Sequence, residues 1–369
     1  MDIATEGRVV HTGQVVIDLT MQVDRIPAPG TEVFADSFAL EVGGGFNVLR
    51  AVRRMGVTAE YVGGIGSGPL AEVARGTLIR EGVNVTGYRD TTLDTGFCVA
   101  LTDADAERTF LSTRGAELAT PLTAYDHVRV GRADVVYMTG YSLADPEPRD
   151  ALLRLVSRLV DRARPGTAST PGAPCVVFDP STIVEQTDPD ALRQLATLHP
   201  VWTMNLREAA VLAGVFGLDA RAGGSGPDGT TSGATTPGGG DHAGAAPAGT
   251  VPGVGVPAGS VPDGAALAGV LSQGLDACVV VRAGARGAWL AQDGQVELIP
   301  APTVHAVDTN GAGDTHAGVL CAALAVGRTM RDAVRLANVA AAISVTREGP
   351  ATSPTVEELG EALTGSAGV

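Results

Sequence analysis

The sequence predicts an α/β fold in which a mostly parallel sheet is covered by helices on both faces, and three observations lead there. Short apolar runs with no polar interruption recur along the chain, for example at 135–138 and 201–204. Stretches rich in Ala, Leu and Arg at helical spacing alternate with them. A strand buried on both faces has no polar side to show, and parallel neighbours require long crossovers, which these helical stretches supply. Finally, 369 residues with 44% hydrophobic side chains are ample for a buried core.

Taken in order, the first apolar run is 14–19. Residues 32–42 interleave aromatic and β-branched with polar residues, the pattern of a half-exposed strand. A helix is expected at 46–55, a buried strand at 59–62 and a helix at 69–81. Residues 96–113 repeat the alternating pattern, and with 32–42 they suit a small sheet set apart from the main one. Buried strands follow at 135–138, 175–178, 201–204 and 277–281. Helices are expected at 149–162, 206–213, 264–273, Ala312–Ala325 and 331–346. The segment 217–264 is dominated by Gly, Ala, Pro, Ser and Thr with almost no large apolar residue. It cannot offset its own ordering entropy, so a disordered surface insertion is expected inside one domain spanning 1–369.

The formal net charge of -15 repels nucleic acid and anionic membrane surfaces, and no basic tract counters it locally. Cys98, Cys175, Cys278 and Cys321 are scattered and form no CxxC or Cys/His cluster, which argues against a zinc site or a disulfide framework. The first ten residues carry acidic groups instead of a basic and then apolar leader, and no apolar stretch reaches the length of a membrane span. A cytoplasmic protein is expected.

The strongest chemical signal is Asp308-Thr309-Asn310-Gly311-Ala312-Gly313-Asp314, running directly into an apolar helix. Small residues at a helix start leave several amide N–H groups bare, and the helix dipole adds partial positive charge there. Such a pocket suits a phosphoryl group in flight, and a carboxylate at its mouth can take the proton of an attacking hydroxyl. Asp314 stands in that place. The same residues equally suit a helix that Asp314 caps, with glycines relieving crowding.

A second glycine motif, Val42-Gly43-Gly44-Gly45-Phe46-Asn47, lies far upstream and leads into the first helix. Together the two motifs, in this order, resemble the signatures of the ribokinase-like (PfkB-type) carbohydrate kinase family, and the resemblance runs from about Val15 to Ser353. It implies a three-layer ribokinase-like fold with a small β-sheet lid over 32–42 and 96–113. It also implies an ATP-dependent sugar kinase, with Asp314 as base and Gly311, Ala312 and Gly313 as anion hole. Asp18, Gly43, Gly44, Asn47 and Asp314 would hold the sugar; by themselves Asp18 reads as a strand-end carboxylate in a turn, and the glycines with Asn47 as an ordinary turn before a helix.

Asn205-Leu206-Arg207-Glu208 resembles the motif that organises magnesium and the nucleotide phosphates; by itself it reads as a helix cap with its capping box. Mg²⁺ keeps several waters and needs few carboxylates, so Glu208 would act indirectly. Arg282, Gly284 and Gly287 resemble the nucleotide loop, and equally a tight turn. Asn338 matches a position near the adenine, or a solvent-facing polar residue. Asp308, Asn310, Ser344, Arg347, Gly349 and Ser353 match a potassium-type (K⁺) cation site, or an ordinary loop after a helix.

Three places depart from the family pattern. His316 stands where an aromatic residue is usual, residues 66–71 lack the usual acidic and Phe-Gly pattern, and Glu117 replaces an Asn in a segment bordering the sugar pocket. A lid would exclude water from the reaction, and its exposed strand edges invite pairing into a homodimer. The alternatives are a nucleoside (adenosine-type) kinase, against which the aromatic content of 4% counts, and a non-catalytic sugar-binding sensor. A dinucleotide-binding enzyme is weaker still, since no GxGxxG follows the first strand.

Overall fold

A computed structural model describes residues 7–104, 108–163, 174–218 and 263–365. The amino-terminal half runs β1 (Arg8–His11), β2 (Val15–Gln22), β3 (Ser37–Gly44), α1 (Gly45–Arg54), β4 (Thr58–Tyr61), α2 (Pro69–Arg80), β5 (Asn84–Val85), β6 (Phe97–Thr102) and β7 (Arg108–Ser112). There follow β8 (Val135–Thr139), α3 (Tyr141–Ala144), α4 (Pro146–Ala163), β9 (Cys175–Asp179), α5 (Pro189–Ala196), β10 (Val201–Asn205) and α6 (Leu206–Val215). The rest is α7 (Gly264–Leu275), β11 (Val279–Arg282), β12 (Ala288–Gln292), β13 (Gln295–Ile299), α8 (Ala312–Ala325), α9 (Met330–Ser344) and α10 (Val356–Gly365).

The main sheet has the order β13-β12-β11-β10-β9-β8-β1-β4-β5. It is parallel from β11 to β5 and ends in the antiparallel hairpin of β12 and β13. Every residue of β8 is buried, as a strand covered on both faces requires. One face packs residues of α1, α2, α8 and α9, among them Leu49, Leu78, Leu320 and Val334. The other packs α4 to α7 through Leu152, Leu192, Leu212 and Leu271. The three-layer expectation holds.

A second sheet, β3-β2-β6-β7, stands apart. Phe38 and Leu40 on β3 and Phe110 and Leu111 on β7 are exposed, so this small sheet is not covered on both sides.

Four expectations need correction. The run 14–19 belongs to the small sheet, as β2, and not to the main one. The first strand of the main sheet is β1, whose two valines between Arg8 and His11 are too short a run to stand out. Residues 96–113 form two antiparallel strands, β6 and β7, and residues 32–36 precede β3 without joining it. The hairpin of β12 and β13 was not expected, although Asp293 (φ 52°) and Gly294 (φ 74°) form the left-handed two-residue turn that Asp-Gly favours. Of the insertion expected over 217–264, residues 219–262 lie outside the described residues.

Candidate active site

β8, β9, β10 and β11 end side by side, and α8 begins against them, which is where a parallel sheet places its crevice. Gly311 caps α8 with a left-handed φ of 72°, and a Cβ there would collide with the carbonyl of Pro350. Only glycine fits. Asp314 is therefore the third residue of the helix and not its cap; its Oδ2 instead accepts a hydrogen bond from Asn47 Nδ2 of α1 at 2.9 Å. The Ala312 amide donates to Thr309 O at 3.3 Å, which leaves the Gly313 amide, without a partner inside the helix, next to this carboxylate.

Burial pushes Asp314 up to about 6, with Asp179 and Asp18 acting in the same direction and Asn47 and Arg282 opposing. Asp18 on β2 is likewise pushed up to about 6, by burial and then by Glu41 across the strand pair. A Cβ on Gly43 would run into the Asp18 carboxylate, and one on Gly44 would come within 2.9 Å of the Gln14 carbonyl. Thus Asp18, Gly43, Gly44, Asn47 and Asp314 come together at the junction of lid and body.

On the other side of the α8 start lies a buried charge cluster. Arg282 Nη1 donates to Asp179 Oδ2 (3.0 Å) and Thr203 Oγ1 (3.1 Å), and Nη2 lies 3.5 Å from Glu208 Oε2. Its guanidinium carbon lies 3.8 Å from where a Cβ on Gly313 would stand, so this cation stands beside the start of α8. Asn205 and Glu208 form a reciprocal capping box at the start of α6, at 2.9 and 2.8 Å. The cap is real, yet it leaves Glu208 only 2% exposed beside Asp179, and burial and that neighbour raise its pKa. No group of three or more His, Cys, Asp or Glu side chains suited to a metal occurs among the described residues. With Glu208 held by Arg282, the site fits a magnesium ion carried on phosphates and water, and not one caged by protein.

Gly284 (φ 60°) and Gly287 (φ 102°) shape the tight turn between β11 and β12, closed by Ala283 N donating to Gly287 O at 2.7 Å. Asn338 is buried; its Nδ2 donates to Ile299 O (2.7 Å) and its Oδ1 meets His316 Nε2 (3.2 Å). It ties α9 to β13, so the solvent-facing alternative is excluded, and it is not brought into the charge cluster. Burial holds His316 down at about 3, a neutral packing residue.

The loop after α9 wraps the start of the motif. Asp308 accepts from the amides of Asn310 (2.9 Å) and Gly349 (3.1 Å), while Thr352 Oγ1 donates to the carbonyls of Ser344 (3.0 Å) and Gly349 (3.3 Å). Arg347 is occupied by Glu358 at 2.7 Å. Among the described residues Ser353 Oγ is buried without a hydrogen-bond partner, an orphan oxygen that fits a cation site in this loop.

Two departures resolve as structural devices. Glu117 accepts from the amides of Gly96 (2.8 Å) and Gly115 (2.9 Å), clasping the start of β6. Asp94 accepts from Leu70 (3.1 Å) and Ala71 (2.7 Å), capping α2 in place of the side chain that Gly68 lacks. Sequence reading missed Asp179, whose only signal is a carboxylate at the end of a Val-Val-Phe run.

A model of the pfkB family carbohydrate kinases matches residues 7–224 and 254–357. Over 97% of its length the chain is 28% identical to the uncharacterized sugar kinase YegV of Escherichia coli, of which 94% is covered. It is 22% identical to the ribokinase of Haemophilus influenzae, over 95% of this chain and 96% of that one. Arabidopsis thaliana ribokinase complexed with ribose and ATP superposes with a TM-score of 0.71 at 16% identity, over 96% of this chain and 98% of that one. The nucleoside kinase of Burkholderia thailandensis in complex with inosine gives 0.67 at 16% identity, over 98% and 97%. These structural likenesses establish a shared ribokinase fold.

Proposed function

The chain belongs to the pfkB family of carbohydrate kinases and is a phosphotransferase, and from that premise we propose that it transfers the γ-phosphoryl group of ATP to a sugar hydroxyl with Asp314 as base. The observation that carries this reading is the 2.9 Å bond from Asn47 to Asp314, which joins the two glycine motifs at the amino terminus of one helix. Bound ATP would supply the activated phosphoryl group.

Asp18 and Asn47 orient the acceptor: a carboxylate accepts from sugar hydroxyls, and an amide both donates and accepts. With a pKa near 6, Asp314 is ionised at neutral pH, yet more basic than an ordinary carboxylate, as a general base should be. The amides of Gly311, Ala312 and Gly313 would form the anion hole, with Arg282 beside Gly313 and the Ala312 amide exchanging Thr309 O for the ligand. Glu208 would orient water on Mg²⁺, and the loop around Ser353 would hold K⁺ beside the anion hole. A non-catalytic sensor has no use for a base held against an anion hole, which disfavours that reading.

Phe38, Leu40, Phe110 and Leu111, exposed on the small sheet, support a homodimer through the lid. ATP as donor and four free cysteines support a cytoplasmic setting. No described helix is long and apolar enough to cross a membrane. The test is acceptor-dependent ADP release over a panel of pentoses, hexoses, sugar acids and nucleosides, with the product identified by mass. A sugar phosphate is the expected product; turnover of nucleosides alone would overturn the sugar reading.

A further inference from the structure

α3 is a single turn of helix between the two halves of the site, and nothing above gives it a role. It exists because β8 and β9 end in contact. The Gly140 amide donates to Asp179 O at 2.8 Å, and a Cβ on Gly140 would collide with the carbonyl of Pro180. That close approach puts Tyr141, the first residue of α3, beside Thr182, and Tyr141 Oη lies 3.0 Å from Thr182 Oγ1.

The pair is held from both sides. Ser142 Oγ accepts from Gln14 Nε2 at 3.1 Å, and the Gln14 carbonyl accepts from the Gly45 amide at 2.8 Å, tying α3 to the acceptor-side glycine turn. Ser181 is held with a left-handed φ of 62° by the Asp179 carboxylate, which accepts from its amide at 2.8 Å. Arg207 donates to the Thr182 carbonyl at 3.3 Å and pairs with Glu185 at 2.8 Å. A hydroxyl pair so fixed costs little further ordering on binding.

Tyr141 is nevertheless 47% exposed, a large aromatic body left uncovered at the mouth of the crevice. Its phenol is raised above its ordinary value by burial first and then by the charges of Asp314, Asp179 and Glu208. The bonds of Gly140 to Asp179 and of Ser142 to Gln14 set α3 between the charge cluster and the glycine turn at Gly45, and the phenol keeps its proton. Two hydroxyls bonded to each other use one O–H, which leaves the second free to donate outward.

We propose that Tyr141 is the acceptor platform of this enzyme: its ring covers the apolar face of a sugar ring opposite Asp314, and the Tyr141–Thr182 hydroxyl pair donates to that sugar's polar edge. An aromatic body with a polar tip suits a ligand that is apolar on one face and hydroxylated at its rim. The residue thereby positions the attacking hydroxyl and ranks acceptors by the shape of that face. This inference rests on the carbohydrate-kinase reading above.

Both can be tested separately by calorimetric binding of the same acceptor panel in the presence of a non-hydrolysable ATP analogue, alongside turnover, for the parent, Tyr141→Phe and Tyr141→Ala. Tyr141→Ala should weaken acceptor binding by about 10-fold or more and reorder the panel, the size of effect that lost apolar contact gives. Tyr141→Phe should keep the parent's order of acceptors and lose roughly 3- to 10-fold, the loss of one hydrogen bond. The affinity for the nucleotide analogue should equal the parent's in both, which also reports that each variant is folded. Acceptor affinities and ranking in folded Tyr141→Ala that match the parent's would overturn the inference. Binding without phosphorylation in the parent would instead sink the kinase reading, and the binding comparison would still decide the role of Tyr141.

Discussion

Asp314 gains its chemistry from where burial and one hydrogen bond leave it. A base works only when ionised, and burial pushes Asp314, the proposed base, up to about 6, so acceptor turnover should rise as pH climbs through about 6 and level off above it. Asn47 is the bond that lowers that value. Asn47→Ala should therefore move the acid limb to higher pH; an unmoved limb in the rate profile would detach Asn47 from the base. The sign for stability is opposite. Because the folded-state pKa is raised above the ordinary carboxylate value, this group's contribution to stability is complete below about 4 and is lost as pH rises through about 6. Asp314→Asn should then unfold at a higher temperature than the parent at pH 8, in a thermal scan, while losing turnover. The place of this residue is legible in the sequence, since the glycines and the following apolar run announce a helix start. The partnership with Asn47 is not, because nothing local relates residues 267 apart. Asp179 stayed hidden for a related reason: a carboxylate at a strand end reads as a turn residue until Arg282 is seen beside it.

At the scale of elements, the site depends on how closely α1 and α8 approach. A Cβ on Gly318 would lie 2.6 Å from both the Ala51 side chain and the Val48 carbonyl. Gly318→Val should push α1 off α8, destabilise by about 1–3 kcal/mol as overpacking does, and lower kcat by separating Asn47 from Asp314. Denaturant unfolding with parallel kinetics checks both. The strands from β8 to β11 were legible because burial on both faces makes their runs continuously apolar. β2 was not assigned correctly for the same reason: Val15, Val16 and Ile17 read as a core strand, although the chain has already left the main sheet after His11. The turn of β12 and β13 carried an Asp-Gly signal that could have been used. Glu208 shows the limit in another way, since one side chain is both a helix cap and a member of the charge cluster.

For the whole molecule, the division into body and lid sets the remaining expectations. Apolar side chains exposed on both outer strands of the small sheet favour a second copy of the chain as their cover. Phe38→Lys with Phe110→Lys should convert a dimer to a monomer in size-exclusion light scattering at micromolar concentration. A parent that is already monomeric there would remove the dimer. Whole-chain properties were partly legible: the alternating stretches announced a separate sheet. The identity of the acceptor was not, because residues far apart in the sequence, such as Asp18, Asn47 and Asp314, meet only after folding. The central claim is that this molecule is a kinase whose base is Asp314. The most direct measurement is acceptor-dependent kcat of Asp314→Asn against the parent at pH 8, with ATP affinity measured in parallel. A fall of roughly 10²- to 10⁴-fold with unchanged ATP affinity is the predicted result, and a kcat equal to the parent's would contradict the account.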